Sequence, residues 1–376
     1  MPEATLTAPV QTRSERLASR DHSAFEAVTG REVNWKFTPV DRVRDLIDGE
    51  LDGSPYAVLY PEVPGTSVEW IDRTDDALGR AGTPEDRAAA NAWSSFEKAL
   101  HIQVDGAAET ALTVTRSDLG SAPRAAHVLV TATANSTGLV VLDSRGTGNL
   151  VENVEIVLDE GARLTVVSVQ EWAEDGIHLS SHFARVGKDA QLKHIVVSLG
   201  GSIIRVNPST HLAEAGSDVE MLGVYFADAG QHIEHQVYVN HDAPQSKSRV
   251  TYKGALNGQG AHTVWIGDVL IGRAAVGTDS YEQNRNLVLS EGTRADSIPN
   301  LEIETGDILG AGHASATGRF DDEQLFYLQS RGISEDEARR LVVLGFLTEI
   351  IQKIGSAELE ERLIAAVIDE LTVKEN

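Results

Sequence analysis

One histidine stands in an unusual run of small residues in the last quarter of the chain. The run reads GAGHASATG, from Gly310 to Gly318, and no bulky side chain lies within two residues of His313. Small neighbours let another backbone or a bulky inorganic ligand approach the imidazole, and a neutral imidazole is a good iron ligand near neutral pH. The residues leave a second interpretation open, in which His313 is packed where a strand gives way to a helix. His313 is therefore the first candidate metal ligand.

The other histidines carry weaker spacing signals. His178 and His182 lie in a strand-like run, where a period of two puts both on one face but roughly 13 Å apart, too far to share one ion. His232 and His235 are three residues apart, so a strand points them to opposite faces. His194 has the same parity as its apolar neighbours, which predicts a hydrogen-bonded core position. We predict no metal site from any of these residues.

Two pairs of adjacent carboxylates suggest a different chemistry, the hydrolysis of glycosides. Asp159 and Glu160 form one pair, and Asp321 and Asp322 form the other. Both pairs fall where a turn or a helix cap is predicted, and carboxylates are common there for structural reasons. A β-helix carbohydrate-active enzyme is thus one alternative, although such enzymes are commonly exported and no export signal is present. Neither a Walker A phrase nor GxGxxG occurs, so no standard nucleotide-binding loop is predicted.

Composition restricts the partners and the metal chemistry. The 376 residues carry a formal net charge of -25, which repels a phosphate backbone and argues against nucleic acid. No apolar run approaches the roughly 18 residues of a membrane span, so we expect no membrane partner and a cytoplasmic location. The chain contains no cysteine. Because iron-sulfur clusters are normally held by thiolates, this chain cannot hold one unaided by the usual chemistry.

The candidate ligand ends a long region of short β-branched runs separated by Gly, Asp and Asn. This region extends over residues 103–318 and contains a turn phrase that ends at Leu164, Leu192 and Val219. The spacings of 28 and 27 residues are typical of stacked β-coils, which bury their faces against their neighbours. A β-sandwich would contain similar short strands. The residues favour the solenoid only slightly.

Helical patterns flank the β-region on both sides. Residues 1–102 form the predicted N-terminal helical region, where TPVD at 38–41 and TPED at 83–86 are capping patterns with proline at the first helical position. Residues 319–376 form the predicted C-terminal helical domain. In that domain Ser334 begins a capping box ahead of a run with helical periodicity.

Three phrases in the second half of the chain resemble the SufB/SufD family, whose members are scaffold subunits for iron-sulfur cluster assembly. The longest begins with PNLEI at Pro299, includes GHA around His313 and ends with LFYLQSRG. HDAPQSKSR from His241, followed by YKG, and RNLVLS from Arg285 are also similar to that family. The resemblance covers roughly residues 200–350. It implies a mainly β fold, a right-handed parallel β-helix flanked by N-terminal and C-terminal α-helical regions.

The lack of cysteine makes the chain similar to the SufD-type subunit of that family. The resemblance implies that His313 faces a partner scaffold and helps to ligate a transient iron-sulfur cluster together with a partner cysteine. By the same resemblance, this chain alone binds no cluster. Some relatives carry a thiol at the position of Ala311, so a sulfur-handling role for that position is absent here.

The resemblance also implies partners and a non-enzymatic role. The partners are a SufB-type scaffold, or a second copy of this chain when it is alone, and SufC-type ABC ATPases. The ATPases would dock on the C-terminal helices, about Asp321 to Val373. The chain itself is not expected to be an enzyme. The other alternative is a purely structural partner subunit, in which His313 has no chemical role.

Overall fold

The short β-branched runs form a parallel β-solenoid of about eight turns, as the family resemblance implied. In this computed structural model, the structure describes residue 13, residues 16–319 and residues 322–372. Its strands, in chain order, are β1 (Thr66–Asp72), β2 (Lys98–Val104), β3 (Leu112–Ser117), β4 (Gly120–Ala132), β5 (Thr137–Gly146), β6 (Gly148–Leu158), β7 (Arg163–Trp172), β8 (Ile177–Val186), β9 (Gln191–Ser198), β10 (Ile203–Leu212), β11 (Asp218–Ala227), β12 (His232–His241), β13 (Lys247–Leu256), β14 (His262–Ile271), β15 (Asp279–Val288), β16 (Arg294–Ile303) and β17 (Gly310–Arg319). Its α-helices are α1 (Arg44–Asp48), α2 (Arg87–Ser95), α3 (Asp322–Ser330), α4 (Glu335–Ile351) and α5 (Ala357–Thr372).

The strands alternate between two sheets. Sheet A has the order β1-β2-β4-β6-β8-β10-β12-β14-β16, and sheet B has the order β17-β15-β13-β11-β9-β7-β5-β3. β1 is antiparallel to β2, whereas the other ladders are parallel, with each strand beside the one two places further along the chain. A β-sandwich of antiparallel strands is therefore excluded, because only a coiled path gives this order.

The recurring turn phrase marks the same point in successive coils. Leu164 lies beside Leu192 between β7 and β9, and Leu192 lies beside Val219 between β9 and β11. The predicted period is thus confirmed as ladder register. Each of these turns needs one residue in the left-handed region, which glycine and short polar residues tolerate. These residues are Gly161, Asp189 and Gly216, with φ of 70°, 53° and 73°.

The lumen between the sheets is not uniformly apolar. On its inner face Arg116 donates two hydrogen bonds to Glu152, at 2.6 and 2.7 Å, and His178 Nε2 donates a third at 2.8 Å. Burial opposes ionisation, yet the Arg116 guanidinium holds the pKa of Glu152 well below its ordinary value. Since a buried charge is tolerated when it is paired and fully hydrogen-bonded, this cluster fixes the neighbouring coils.

The N-terminal region covers the outer face of sheet A. Short 3-10 turns, α1 and α2 pack there in one apolar cluster with outward residues of β4, β6, β8 and β10. The helix starts differ from the capping patterns in TPVD and TPED. A 3-10 turn at Val40–Arg42 follows the first, and α2 is capped by Asp86, which accepts a hydrogen bond from the Ala89 amide at 2.9 Å. Residues 1–102 also contain β1 and the first residues of β2.

The C-terminal helices cover the outer face of sheet B. Ser334 caps α4, as predicted, by accepting a hydrogen bond from the Glu337 amide. The buried face of α4 and α5 shares one apolar cluster with the outward residues of β5, β7, β9 and β11. The cluster includes Val343, Leu347, Ile350, Leu363, Val167, Ile195 and Val224. Because this cluster joins helix to sheet, the helices are part of the solenoid's packing.

Candidate ligand site at the open end of the solenoid

The last coil is open at its outer end. β16 pairs only with β14, and β17 pairs only with β15, so in the described part of the chain both strands keep one unpaired edge. Inward residues of the two strands meet across the lumen, where Ser315 Oγ lies 2.8 Å from Ser297 Oγ. Unpaired strand edges are exposed donors and acceptors that readily accept another strand. This end is therefore a natural surface for association.

His313 lies on β17, four residues into the strand. Its side chain is 46% exposed, and it stands on the lumen-facing side of the strand in register with Glu282 of β15. The sequence placed this residue where strand gives way to helix, and the structure moves that junction beyond Arg319. The small residues form a strand because β15 offers a complete ladder partner. The imidazole is thus held by a sheet and opens onto the end of the lumen.

Small residues leave the outer face of β17, behind His313, uncovered. Among the described residues, a Cβ added at Gly310 or Gly318 would meet no atom within 4 Å, and one added at Gly312 would only touch the Tyr281 ring at 3.4 Å. Apolar side chains also reach solvent at this end, since Leu309 is 81% exposed. A partner backbone therefore has room to approach β17 and an apolar contact on which to rest.

Glu282 is the residue at this end that sequence reasoning missed. Its side chain is 1% exposed and its Oε1 lies 3.9 Å from His313 Nδ1. Among the described residues, neither carboxylate oxygen has a hydrogen-bond partner of normal geometry. Burial, and then the negative charge of Asp268, raise the pKa of Glu282 to about 8. The signal was present, because Glu282 precedes His313 by 31 residues, close to one coil.

The remaining candidate histidines lie elsewhere. His178 and His182 lie on one face of β8, as predicted, and this face points into the lumen, where they bond to different partners, Glu152 and His194. The latter contact also confirms His194 as a hydrogen-bonded core residue. On the outer face of sheet A, His232 lies beside Glu234 and faces the N-terminal region. The two histidines of the HxxH phrase therefore do point to opposite faces, since the second lies in the lumen beside Ser198 and Tyr225.

The two carboxylate pairs nominated for hydrolysis do not form a cleft in the part of the chain that the structure describes. Asp159 and Glu160 are exposed in a turn, with Asp159 3.7 Å from Arg80 and Glu160 2.7 Å from Lys188. Asp321 lies outside the described residues, and Asp322 begins α3. A general acid and a second carboxylate must flank the glycosidic bond, and an exposed turn whose carboxylates form ion pairs does not enclose a substrate in this way. These pairs offer no support for glycoside hydrolysis.

The described residues contain no cluster of three or more His, Cys, Asp or Glu side chains arranged to hold a metal ion. Where β17 faces the lumen, the described residues pair one exposed imidazole with one buried carboxylate, which is fewer than the four protein ligands usual for an iron-sulfur cluster. Further donors must come from another molecule.

None of the helices in the described ranges has the length and apolar character that a membrane crossing requires.

Comparisons with known proteins agree with one another. A family model described as SUF system FeS cluster assembly, SufBD core domain, matches residues 114–346. A Mycobacterium bovis protein named iron-sulfur cluster assembly SufBD family protein is 50% identical over 386 residues, covering 99% of this chain and 97% of that relative. A Mycobacterium leprae protein with the same family name is 49% identical over 370 residues, covering 96% and 94%. A second Mycobacterium leprae protein of that family name is 30% identical over 201 residues, covering 54% and 23%. The matched region begins within β3 and ends within α4, so it includes His313.

Proposed function

Because the chain belongs to the SufBD family of iron-sulfur cluster assembly proteins, we propose that it is a non-catalytic scaffold subunit of the SufD type. It pairs with a cysteine-bearing SufB-type scaffold and docks SufC-type ATPases in a cytoplasmic complex. Neither nucleic acid nor membrane takes part, and the net charge of -25 supports the first of these exclusions. The observation that carries the proposal is an exposed imidazole on an end strand with one unpaired edge, in a chain without cysteine.

In this proposal the cluster is the cargo of the complex. His313 supplies a nitrogen ligand to one iron of a nascent cluster, and a partner cysteine supplies sulfur. Histidine replaces cysteine on iron in Rieske centres, so a mixed nitrogen and sulfur ligand set is chemically sound. This chain alone binds no assembled cluster, because it has too few donors. Ala311, which lies beside Ser280 in the ladder, takes no part in handling sulfur.

The pairing surface is the open end of the solenoid. The free edges of β16 and β17 offer backbone hydrogen bonds to a partner strand, and Ile303 and Leu309 add apolar area. A second copy of this chain would present the same edges, so the chain alone forms a homodimer through them. Pairing through this surface brings His313 to the interface.

The ATPase surface is the outer side of the C-terminal helices. Phe326 is 73% exposed and Tyr327 55% exposed on α3, and Leu341 adds an exposed apolar side chain on α4. Large exposed apolar residues grouped on helices are typical of docking sites. They support ATPase docking within the range about Asp321 to Val373, of which residues 322–372 are described.

A contact between α4 and sheet B links the docked ATPases mechanically to the open end. Lys253 of β13 is hydrogen-bonded to Glu349 of α4 and, at 3.3 Å, to the Phe346 carbonyl. In sheet B, β13 is separated from β17 by β15 alone. A shift of α4 therefore acts on the sheet that carries His313. We expect the nucleotide state to bias the arrangement of the interface through this contact.

The central test is the iron and acid-labile sulfide content of the complex purified with the His313→Ala chain. We expect the complex to remain intact and to contain much less iron and sulfide, because one ligand is lost while an exposed side chain contributes little to the fold. His211→Ala is the matched control, since His211 is partly exposed on β10 far from the open end. Wild-type iron and sulfide in the His313→Ala complex would refute the ligand role and favour the purely structural partner.

Docking is tested with two variants, one on the ATPase surface and one at the open end. Phe326→Asp should abolish ATPase association and leave scaffold pairing intact, whereas Tyr281→Asp at the open end should weaken pairing only. Both residues are exposed aromatics, so each variant is the control of the other. Deleting residues after Gly332 is a harsher test, because removing α4 uncovers the apolar face of sheet B. ATPase binding retained by Phe326→Asp would contradict the docking assignment.

A further inference from the structure

Glu282 is an unexplained buried carboxylate. It points into the lumen from β15, next to the open end, and in the part of the chain that the structure describes its two oxygens have no hydrogen-bond partner. The backbone amide of Asn300 favours the charged form, but it makes no hydrogen bond of normal geometry. A buried polar group without partners is costly, and in native proteins it usually signals a function or a bound ion.

The residues around Glu282 leave space for its carboxylate inside the lumen. Gly267 on β14 has no side chain, and a Cβ at that position would come within 2.4 Å of Glu282 Oε2. The Trp265 ring, from the same strand, borders the same position, and within the described residues its indole Nε1 also lacks a partner. Glu282 and Trp265 therefore both lie around the space that a side chain at Gly267 would fill. His313 is the exposed neighbour of Glu282.

We propose that Glu282 and His313 together form a carboxylate-imidazole site that binds ferrous iron at the open end of the solenoid. This inference rests on the proposed function and adds a second iron-binding residue to it. Glu282 supplies an oxygen ligand from inside the lumen, and His313 supplies a nitrogen ligand at the surface. The partner scaffold then completes the coordination with sulfur.

The distance between the two donors suits one ion. Two ligands at about 2.1 Å from one metal and at right angles to each other lie roughly 3 Å apart. The observed distance from Glu282 Oε1 to His313 Nδ1 is 3.9 Å, and the half-exposed imidazole is free to move closer. Carboxylate and imidazole are the donors of non-haem ferrous sites, which keep open positions for other ligands. Iron bound this way remains accessible to a partner thiolate and to sulfide.

The first test measures anaerobic binding of ferrous iron to the full-length chain at high salt, where the weak attraction of scattered surface carboxylates is screened. We expect one saturable site per wild-type chain, with affinity lowered tenfold or more in both Glu282→Gln and His313→Ala. Glu304→Gln removes an exposed carboxylate just after β16 and should bind iron as the wild type does. Unchanged affinity in Glu282→Gln, or no saturable site in the wild type, would overturn the inference.

The second test separates this inference from the proposed function. Complexes containing Glu282→Gln and His313→Ala are compared for iron and acid-labile sulfide. Losses in both complexes support both proposals, whereas a loss in His313→Ala alone overturns the role of Glu282 and leaves the proposed function standing. Iron and sulfide at wild-type levels in both complexes would refute the proposed function. Glu282→Gln should fold normally, because glutamine has nearly the same shape, and an unchanged thermal midpoint checks this.

Discussion

Replacing His235 with phenylalanine should make the protein about 1 kcal/mol less stable than the wild type at pH 7.5 and slightly more stable at pH 5.5. The His235 ring is fully buried in the lumen between Tyr225 and Tyr252, with ring centroids 5.1 and 5.5 Å away. Its Nε2 is 3.1 Å from Ser198 Oγ, and its Nδ1 has no partner among the described residues. Burial lowers the pKa of His235 from 6.5 to about 3. The folded protein therefore keeps this ring neutral under mildly acidic conditions.

The size of the effect follows from linkage. A histidine with a lowered pKa in the folded state has no effect well above pH 6.5, and destabilises the fold as the pH falls below 6.5, because only the unfolded chain takes up the proton. For a folded pKa near 3, the loss is about 1.4 kcal/mol at pH 5.5 and about 2.7 kcal/mol at pH 4.5. Phenylalanine keeps the ring packing and removes the titration. Its cost is about 1 kcal/mol for the bond to Ser198.

Urea unfolding at pH 7.5, 5.5 and 4.5 measures the difference in the free energy of unfolding between His235→Phe and the wild type. This difference should shift in favour of the variant by about 1.4 kcal/mol between pH 7.5 and 5.5. Ser198→Ala is the control, because it removes the same hydrogen bond and keeps the imidazole, so its effect should not change over this interval. If the variant and wild-type curves ran parallel with pH, the ring would not be a buried neutral group and the reasoning would fail.

Two further predictions concern other buried contacts. Arg205→Met removes the cation that lies 3.4 Å from buried Glu234, and should lower the free energy of unfolding by about 3–5 kcal/mol in urea denaturation; an unchanged midpoint would show that the pair contributes nothing. Gly254→Ala places a Cβ 1.8 Å from the Tyr225 ring, and should lower stability by about 1–3 kcal/mol, whereas Gly318→Ala meets open space and should not. Equal thermal midpoints for the two alanine variants would contradict this packing.

Several features of the fold could be read from particular residues. Leu164, Leu192 and Val219 mark successive coils because each turn needs a left-handed residue at a fixed offset, which leaves a repeat in the sequence. Ser334 announces α4 because a cap is a local hydrogen bond. Asp86 is the cap that the TPED pattern missed, because the pattern places proline at the first helical position and so assigns the cap to Thr83. Local rules therefore locate the turns and some caps, but the packing of the chain chooses between competing caps.

The candidate site, too, could be predicted from the sequence only in part. His313 stands out in the sequence because its neighbours are all small, and the lack of cysteine follows from composition alone. The proximity of Glu282 to His313 cannot be read from the sequence in this way. The spacing between ladder neighbours drifts from 28 residues at Leu164 and Leu192 to 31 residues at Glu282 and His313. Loop lengths set this drift, and a shift of one residue would turn the carboxylate to the outer face.

The sequence by itself determined a region of short β-strands, its approximate period, a thiol-free chemistry and the one histidine free of bulky neighbours. These are properties of composition and of hydrogen bonds between residues close in the chain. Only the tertiary structure decided that the strands coil into a solenoid, that His313 lies on an end strand with one unpaired edge, and that the helices cover sheet B. It also decided that Glu282 stands behind His313 without a hydrogen-bond partner among the described residues. Those facts depend on which strands stack and in what register, and register is fixed by contacts between residues a whole coil apart.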